Sequence, residues 1–404
     1  MQKLSNIFKG DRVIWVLFVL LTVISSIAVY SAIGQSAIEV RHTTPLSAWG
    51  KHMFFVLSSY VIAILVCNVN YRHFAKAGKV LFVISAALLL YCFVTGERWL
   101  YIPGLGSFQP SELAKVALIA FLANMLAVNQ KQVEEKNFFG KVVLIIGATA
   151  LLIFPENFST AALLGVVCMV LLYFGGINRK YWLITMGVIL LLVVVFLTVA
   201  MVSYQNGAST SGDGLLARTS TWGHRVFSWM NPNPDELTQE NMARMAIASG
   251  GLVRLGIGHT VQARLMTQAD NDFIYAIIIE ETGALMGIVI FAIYSILYFR
   301  CLKNARRCDG LFGSLLLVGY GTLIYFQALV NMFVAVGVLP VTGQTLPLIS
   351  NGGTAYWSIA LAIGAMQAVA YETAKSEKKV KEKIRSDREF EEVKDLSARI
   401  MTQN

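Results

Sequence analysis

Residues 181–203, YWLITMGVILLLVVVFLTVAMVS, decide the fold class. An uncharged apolar run of this length, at ~1.5 Å rise per residue, crosses a hydrocarbon layer of ~30 Å as a helix. Nine further runs of similar character surround it. They lie near 13–33, 52–70, 78–96, 111–128, 141–154 and 158–176 before it, and near 273–300, 311–336 and 353–373 after it. The expectation is an all-α, polytopic membrane protein of about ten transmembrane helices. Span five is short, and Pro155 is placed to break one bent element into two.

Composition agrees. With 56% hydrophobic and 14% charged residues and a mean hydropathy of +0.62, the chain has too little polar surface to cover a soluble globule. Its net charge of +9 does not point to nucleic acid, because the basic residues fall in short runs between apolar stretches. Those runs set topology. Most of the 33 Lys and Arg lie at the N-terminus, in alternate connections and after Ala374, which expects an even number of spans and both termini cytoplasmic. The first run follows a basic flank but is too long for a cleaved signal peptide, so it reads as an anchor. Cys67, Cys92, Cys168, Cys301 and Cys308 sit in or beside apolar runs and read as packing residues.

One connection stands apart. Residues 204–272, between spans seven and eight, form a long extracytoplasmic loop; FSWMNP and MARMAIASGGLVRLGIG within it carry helix-like apolar spacing, which expects helices on the outer membrane surface. The domain reading is a membrane domain over 1–373 and a charged cytoplasmic tail over 374–404. That tail keeps a loose helical period.

Ionisable groups at membrane depth are costly and so mark either satisfied contacts or a cavity. Glu112 and Lys115 in PSELAK are three apart and share a helix face, with Ser111 beside them. Arg98 and Trp99 stand in the turn before that helix, and an Arg and a Lys near one interface can clamp phosphate. Asp270 and Asp272 precede span eight, Glu280 and Glu281 lie about two turns inside it, and Arg225 is a further candidate in the long loop. Asp272 has an N-cap role open to it as well as that of a base. The uncharged segment PVTGQTLPLISNGG, with Thr342 and Ser350, is irregular backbone that must line a cavity or be buried in protein. Glu156, Asn157, Ser159 and Thr160 open span six and are placed to line the same cavity.

With these residues in view, the chain resembles the shape, elongation, division and sporulation family of bacterial cell-wall polymerases. The motifs that carry the resemblance are the RW turn at Arg98 and Trp99, QPSELAK ending at Lys115, IASGGL with LGIG, DFIYAIIIEETG from Asp272, and TGQTLPLISNGG. The resemblance implies ten transmembrane helices and glycosyl transfer that polymerises lipid II on the outer face of the bacterial inner membrane. It also implies a class B penicillin-binding protein as transpeptidase partner, with other divisome proteins and membrane lipids around it. The charged tail and motif wording lean to FtsW-like division members over RodA-like elongation members.

On that resemblance Asp272 is the catalytic residue. Lys115, Glu112, Arg98, Trp99, Ser111, Ser350 and Thr342 are substrate-binding candidates, with Asp270, Glu280, Glu281 and Arg225 secondary. A divalent cation, Mg²⁺ or Mn²⁺, is expected without a dedicated cage. The wording departs from the family's at three places: Asp270 and Asn271 stand for His-Thr, Glu156 to Ser159 for Pro-Asp-Leu-Gly, and Asn351 for Tyr in Ser-Tyr-Gly-Gly-Ser. Competing readings are a lipid II flippase, which wants charges at the midplane accessible from both sides, and a noncatalytic scaffold.

Overall fold

The structure, a computed structural model, describes residues 8–39, 44–102, 106–155, 157–205, 215–233, 236, 238–266 and 268–403. Glu156 lies outside the described residues. Seven helices precede the long loop: α1 (Arg12–Glu39), α2 (Pro45–Cys67), α3 (Phe74–Thr95), α4 (Pro110–Val128), α5 (Lys136–Ile153), α6 (Phe158–Phe174) and α7 (Arg179–Gln205). Between α3 and α4, strands β1 (Leu100–Ile102) and β2 (Gly106–Phe108) form an antiparallel hairpin with Leu100 opposite Phe108. The loop folds into α8 (Leu215–Met230) and α9 (Gln239–Gly250), and the rest is α10 (Ile274–Thr282), α11 (Ala284–Arg307), α12 (Leu311–Ala335) and α13 (Ala355–Gln403).

Among the described residues, eight helices are long and apolar enough to cross a membrane. The 17-residue α6 and the apolar first half of α13 account for the two other expected spans. Local signals set several boundaries. Pro110 opens α4 at a position where no helical N–H is needed. The Asn157 side chain accepts from Thr160 N at 3.1 Å and starts α6. Spans five and six are therefore separate helices, and α5 begins at Lys136, five residues before the run predicts, because 136–140 adds amphipathic turns that hydropathy alone does not register.

Helices α4 and α12 are the most buried of the long helices and α7 the least. Tyr320 on α12 donates to the Val116 carbonyl of α4 at 3.2 Å, and Leu118, Ile119, Leu122, Leu316 and Ile324 fill the shared core. The ends of the bundle are pinned by polar contacts. At one, Asp11 accepts from Arg300 Nε at 2.5 Å and from Asn304 Nδ2 at 2.8 Å, while the Gln367 side chain bonds both its N–H and its carbonyl. At the other, Ser31 donates to Glu281, and the candidate site lies there.

Span eight is not one helix. Gly283, at φ +90°, separates α10 from α11, and residues 251–256 of the long loop lace into the break. Arg254 N and Gly256 N donate to the carbonyls of Thr282 and Glu281, and Ala284 N and Leu285 N donate to those of Gly251 and Leu252. A Cβ at Gly283 would meet Leu252 O at 2.5 Å. Those pairings come from loop residues about thirty positions earlier, so a window of hydropathy passes straight over the break. A second difference concerns the tail: α13 runs unbroken through the 373/374 boundary to Gln403.

Candidate functional site

A cavity of about 640 Å³ opens where the N-terminal ends of α2 and α4, the β-hairpin, the loop before α10 and the segment before α13 converge. Arg98, Trp99, Glu112, Arg225 and Asp272, all singled out in the sequence, line it together with Asn157. They come from separate parts of the chain, and folding brings them to one place.

Asp272 is held by its backbone so that its carboxyl faces the cavity. Its N–H donates to Gln268 O at 3.1 Å. Its carbonyl accepts from Asn331 Nδ2 at 2.8 Å, and the same amide nitrogen donates to Gln344 O at 2.7 Å. One α12 side chain thus ties the Asp272 loop to the segment across the cavity. Within that segment Gly343 turns at φ +66° and comes closest to the Asp272 carboxylate, where a Cβ would stand 3.7 Å from Oδ2. Burial raises the Asp272 carboxyl to about 6; Arg225 and Arg98 oppose that rise and Asp270 adds to it.

Arg225 is positioned by α8. Its Nη1 donates to Val341 O at 3.2 Å, and its guanidinium lies 5.5 Å over the Trp222 ring. Glu112 and Lys115 form the expected i,i+3 pair at 2.8 Å, but only Glu112 reaches the cavity. Lys115 is buried behind it, donating to Glu112 Oε1 and, at 3.1 Å, to Gln327 Oε1. The reading of Lys115 as a direct phosphate partner is therefore corrected: its α4 position points it at α12, and it holds Glu112, whose Oε2 has no protein partner.

Other candidates serve structure. Glu280 accepts from Thr260 Oγ1 at 2.6 Å and from the N–H groups of Val261 and Gln262, and Glu281 accepts from Ser31 and from Gly258 N at 3.1 Å. Both fasten the long loop to α10 and α1, away from the cavity, because a carboxylate inside a span is also the acceptor that nearby orphan N–H groups need. Ser350 donates to Asn271 O at 2.6 Å and accepts from Leu346 N, so it shapes the backbone and does not line the cavity. Ser111 is buried with no hydrogen-bond partner and stands off the cavity wall. Thr342 lines an adjoining chamber. Asp270 is buried and accepts from Asn351 Nδ2 at 3.0 Å.

Sequence reading missed three residues. His52 and Lys51 of α2 line the cavity, and Asn331 holds Asp272. His52 shares a hydrogen bond of 3.0 Å with Ser25 Oγ; the Ser25 proton is committed to Ile349 O at 2.7 Å, so Nε2 is the donor. The available signal was polarity inside apolar spans, above all Gln327 and Asn331 four apart on α12. As for a cation, among the described residues no three of His, Cys, Asp and Glu converge. The carboxylates at the cavity face arginines, so the residues present do not form a metal cage, and the positive charge here is that of Arg98, Arg225 and Lys51.

Fold and site together define a polytopic membrane protein with an anion-receptive cavity and one activated carboxylate at one end of its bundle. Residues 11–375 match the FtsW/RodA/SpoVE family, described as cell cycle proteins, and the chain belongs to that family. Among its relatives, a protein named probable peptidoglycan glycosyltransferase FtsW from Geobacter metallireducens is 29% identical, over 91% of this chain and 96% of its own. Stage V sporulation protein E of Bacillus subtilis is 27% identical, over 89% and 96%. In fold, the chain is similar to one in a structure described as a peptidoglycan synthase complex that coordinates polymerization and crosslinking (TM-score 0.68, 21% identity, 90% of this chain and 98% of that one). It is also similar to the Thermus thermophilus rod shape determining protein RodA (TM-score 0.63, 20% identity, 91% and 99%).

Proposed function

We propose that the chain is a peptidoglycan glycosyltransferase that polymerises lipid II into glycan strands, with Asp272 as the general base. The observation that carries this is the placement of Asp272, raised to about 6 by burial, in one cavity with Arg98 and Arg225. In the step, Asp272 takes the proton of an acceptor sugar hydroxyl. The hydroxyl oxygen bonds to the donor's anomeric carbon as the bond from that carbon to the diphosphate breaks, and the electron pair leaves on the diphosphate. Arg98 and Arg225 hold the charge that develops there. Diphosphate leaves well without a proton, so the second carboxylate of a glycoside hydrolase is not required. No step needs a resident metal; Mg²⁺ or Mn²⁺, where it takes part, arrives with the diphosphate.

Relatives named peptidoglycan glycosyltransferase support this activity, and the similarity to a chain of a polymerisation and crosslinking complex supports a transpeptidase of the class B penicillin-binding type as partner. With both termini cytoplasmic by the distribution of Lys and Arg, the cavity faces the outer side of the inner membrane. The cavity walls are helix ends and loops at one end of the bundle, whereas a flippase wants charges at the midplane. The FtsW-named relatives favour a role in division.

The test is glycan synthesis from lipid II by the purified chain with its transpeptidase. Asp272→Asn is expected to lower the rate by at least about 10²-fold with unchanged expression and thermal unfolding. Synthesis at the wild-type rate would overturn the assignment.

A further inference from the structure

A second chamber, of about 280 Å³, adjoins the cavity between the turn at 154–157, α7 and α8. The two share Arg98, Asn157, Arg225 and Gly343 as a common wall. Beyond that wall the lining changes from polar to aromatic. Phe158 stacks on Phe196 with ring centroids 4.5 Å apart, Trp222 meets Phe158 edge-on at 4.9 Å, and Phe154 abuts Phe196 at 5.1 Å. At the boundary, the buried Thr342 hydroxyl has no hydrogen-bond partner. On its far side α7 exposes Leu190, Leu191, Leu192 and Val195, the face such a helix turns to lipid.

A saccharide lodged among these rings would leave most of its hydroxyls without partners, and burying them so is unfavourable. An apolar chain carrying an anionic head fits both the rings and the arginines. We propose that the aromatic chamber takes the first isoprene units of a polyprenyl diphosphate, whose diphosphate lies between Arg98 and Arg225 and accepts from the Thr342 hydroxyl. The remainder of the chain then passes α7 into lipid. The volume is at the lower edge of small-ligand pockets, so only the proximal units are enclosed. The division of space follows: sugars in the polar cavity with Asp272, the leaving lipid in the aromatic chamber, and the arginines at the bond that breaks. This inference rests on the glycosyltransferase reading but concerns a different contact.

It is tested by titrating the purified full chain in nanodiscs with farnesyl diphosphate and, separately, with inorganic diphosphate. Each buried CH₂ favours binding by roughly fourfold, so farnesyl diphosphate is expected to bind more than about tenfold tighter. Phe158→Ser should remove most of that advantage and leave the affinity for inorganic diphosphate unchanged. Equal affinity of the two ligands for the wild-type chain, or equal loss of both in the variant, would overturn the proposal. A benzophenone-bearing farnesyl diphosphate gives a reading on the wild-type chain alone: adducts at Phe158, Phe196 or Trp222 support the chamber, and adducts confined elsewhere refute it. Glycan synthesis without any contribution from Phe158 would end the chamber proposal only, whereas chamber binding in a chain that makes no glycan would end the enzymatic reading only.

Discussion

Asn351 is bonded to Asp270 twice, its backbone N–H to the Asp270 carbonyl at 2.9 Å and its side-chain amide to the carboxylate at 3.0 Å. These are two of the positions at which the motif wording departs from that of the family it resembles. The departures meet in space. An acid two residues before the proposed base is tolerated because the amide that replaces an aromatic ring donates to it.

A double-mutant cycle tests this pairing. Asn351→Leu strips a buried carboxylate of a donor and is expected to cost about 2–3 kcal/mol in stability. Asp270→Asn in the same background should recover part of the loss, with a coupling of about 1–2 kcal/mol. Thermal unfolding of the four purified chains gives the coupling directly, and additive losses would mean that the contact carries no energy of its own.

The ionisation of Asp272 predicts a pH profile. Its carboxyl is raised from 3.8 to about 6, and the base acts when ionised, so the rate should climb as pH rises through about 6 and level off above it. Stability runs the other way. The folded state holds the proton more tightly than the unfolded one, so this group's contribution is present below about 3.8 and is lost as pH rises through about 6. Because Arg225 lowers the Asp272 value, Arg225→Gln should shift the acidic limb to higher pH as well as slow turnover. A slower enzyme with an unmoved limb would show that Arg225 does not govern this ionisation.

Lys115 acts through Glu112. Lys115→Met leaves a buried carboxylate without its cation, at a cost of about 3–5 kcal/mol, and should yield a poorly folding protein. In Lys115→Met/Glu112→Gln the stranded charge is gone, so stability should largely return, while glycan synthesis should match that of Glu112→Gln alone. If Lys115→Met unfolds at the wild-type temperature yet makes no glycan, Lys115 touches substrate and the buried placement is misleading.

The number of spans and the pairing of Glu112 with Lys115 were legible in the chain. A bilayer fixes the length of an apolar run, and helix geometry puts residues three apart on one face, so neither depends on a distant partner. The motifs around Arg98 and Asp272 were legible too, through resemblance. The misreadings share one cause. Glu280 and Glu281 looked like site residues because acids in a span are costly, but what satisfies them is the backbone of 258–262, and no local pattern reveals that.

Sequence alone determined a many-span membrane protein, the side chains able to do chemistry and Asp272 as the proposed base. Tertiary structure decided which of them meet. It broke span eight at Gly283, set Lys115 behind Glu112, brought Arg225 from the loop to the Asp272 cavity and enlisted Asn331 to hold both walls. The physical reason is range: hydropathy and helical period act over a few turns, whereas a cavity is assembled from contacts tens to hundreds of residues apart.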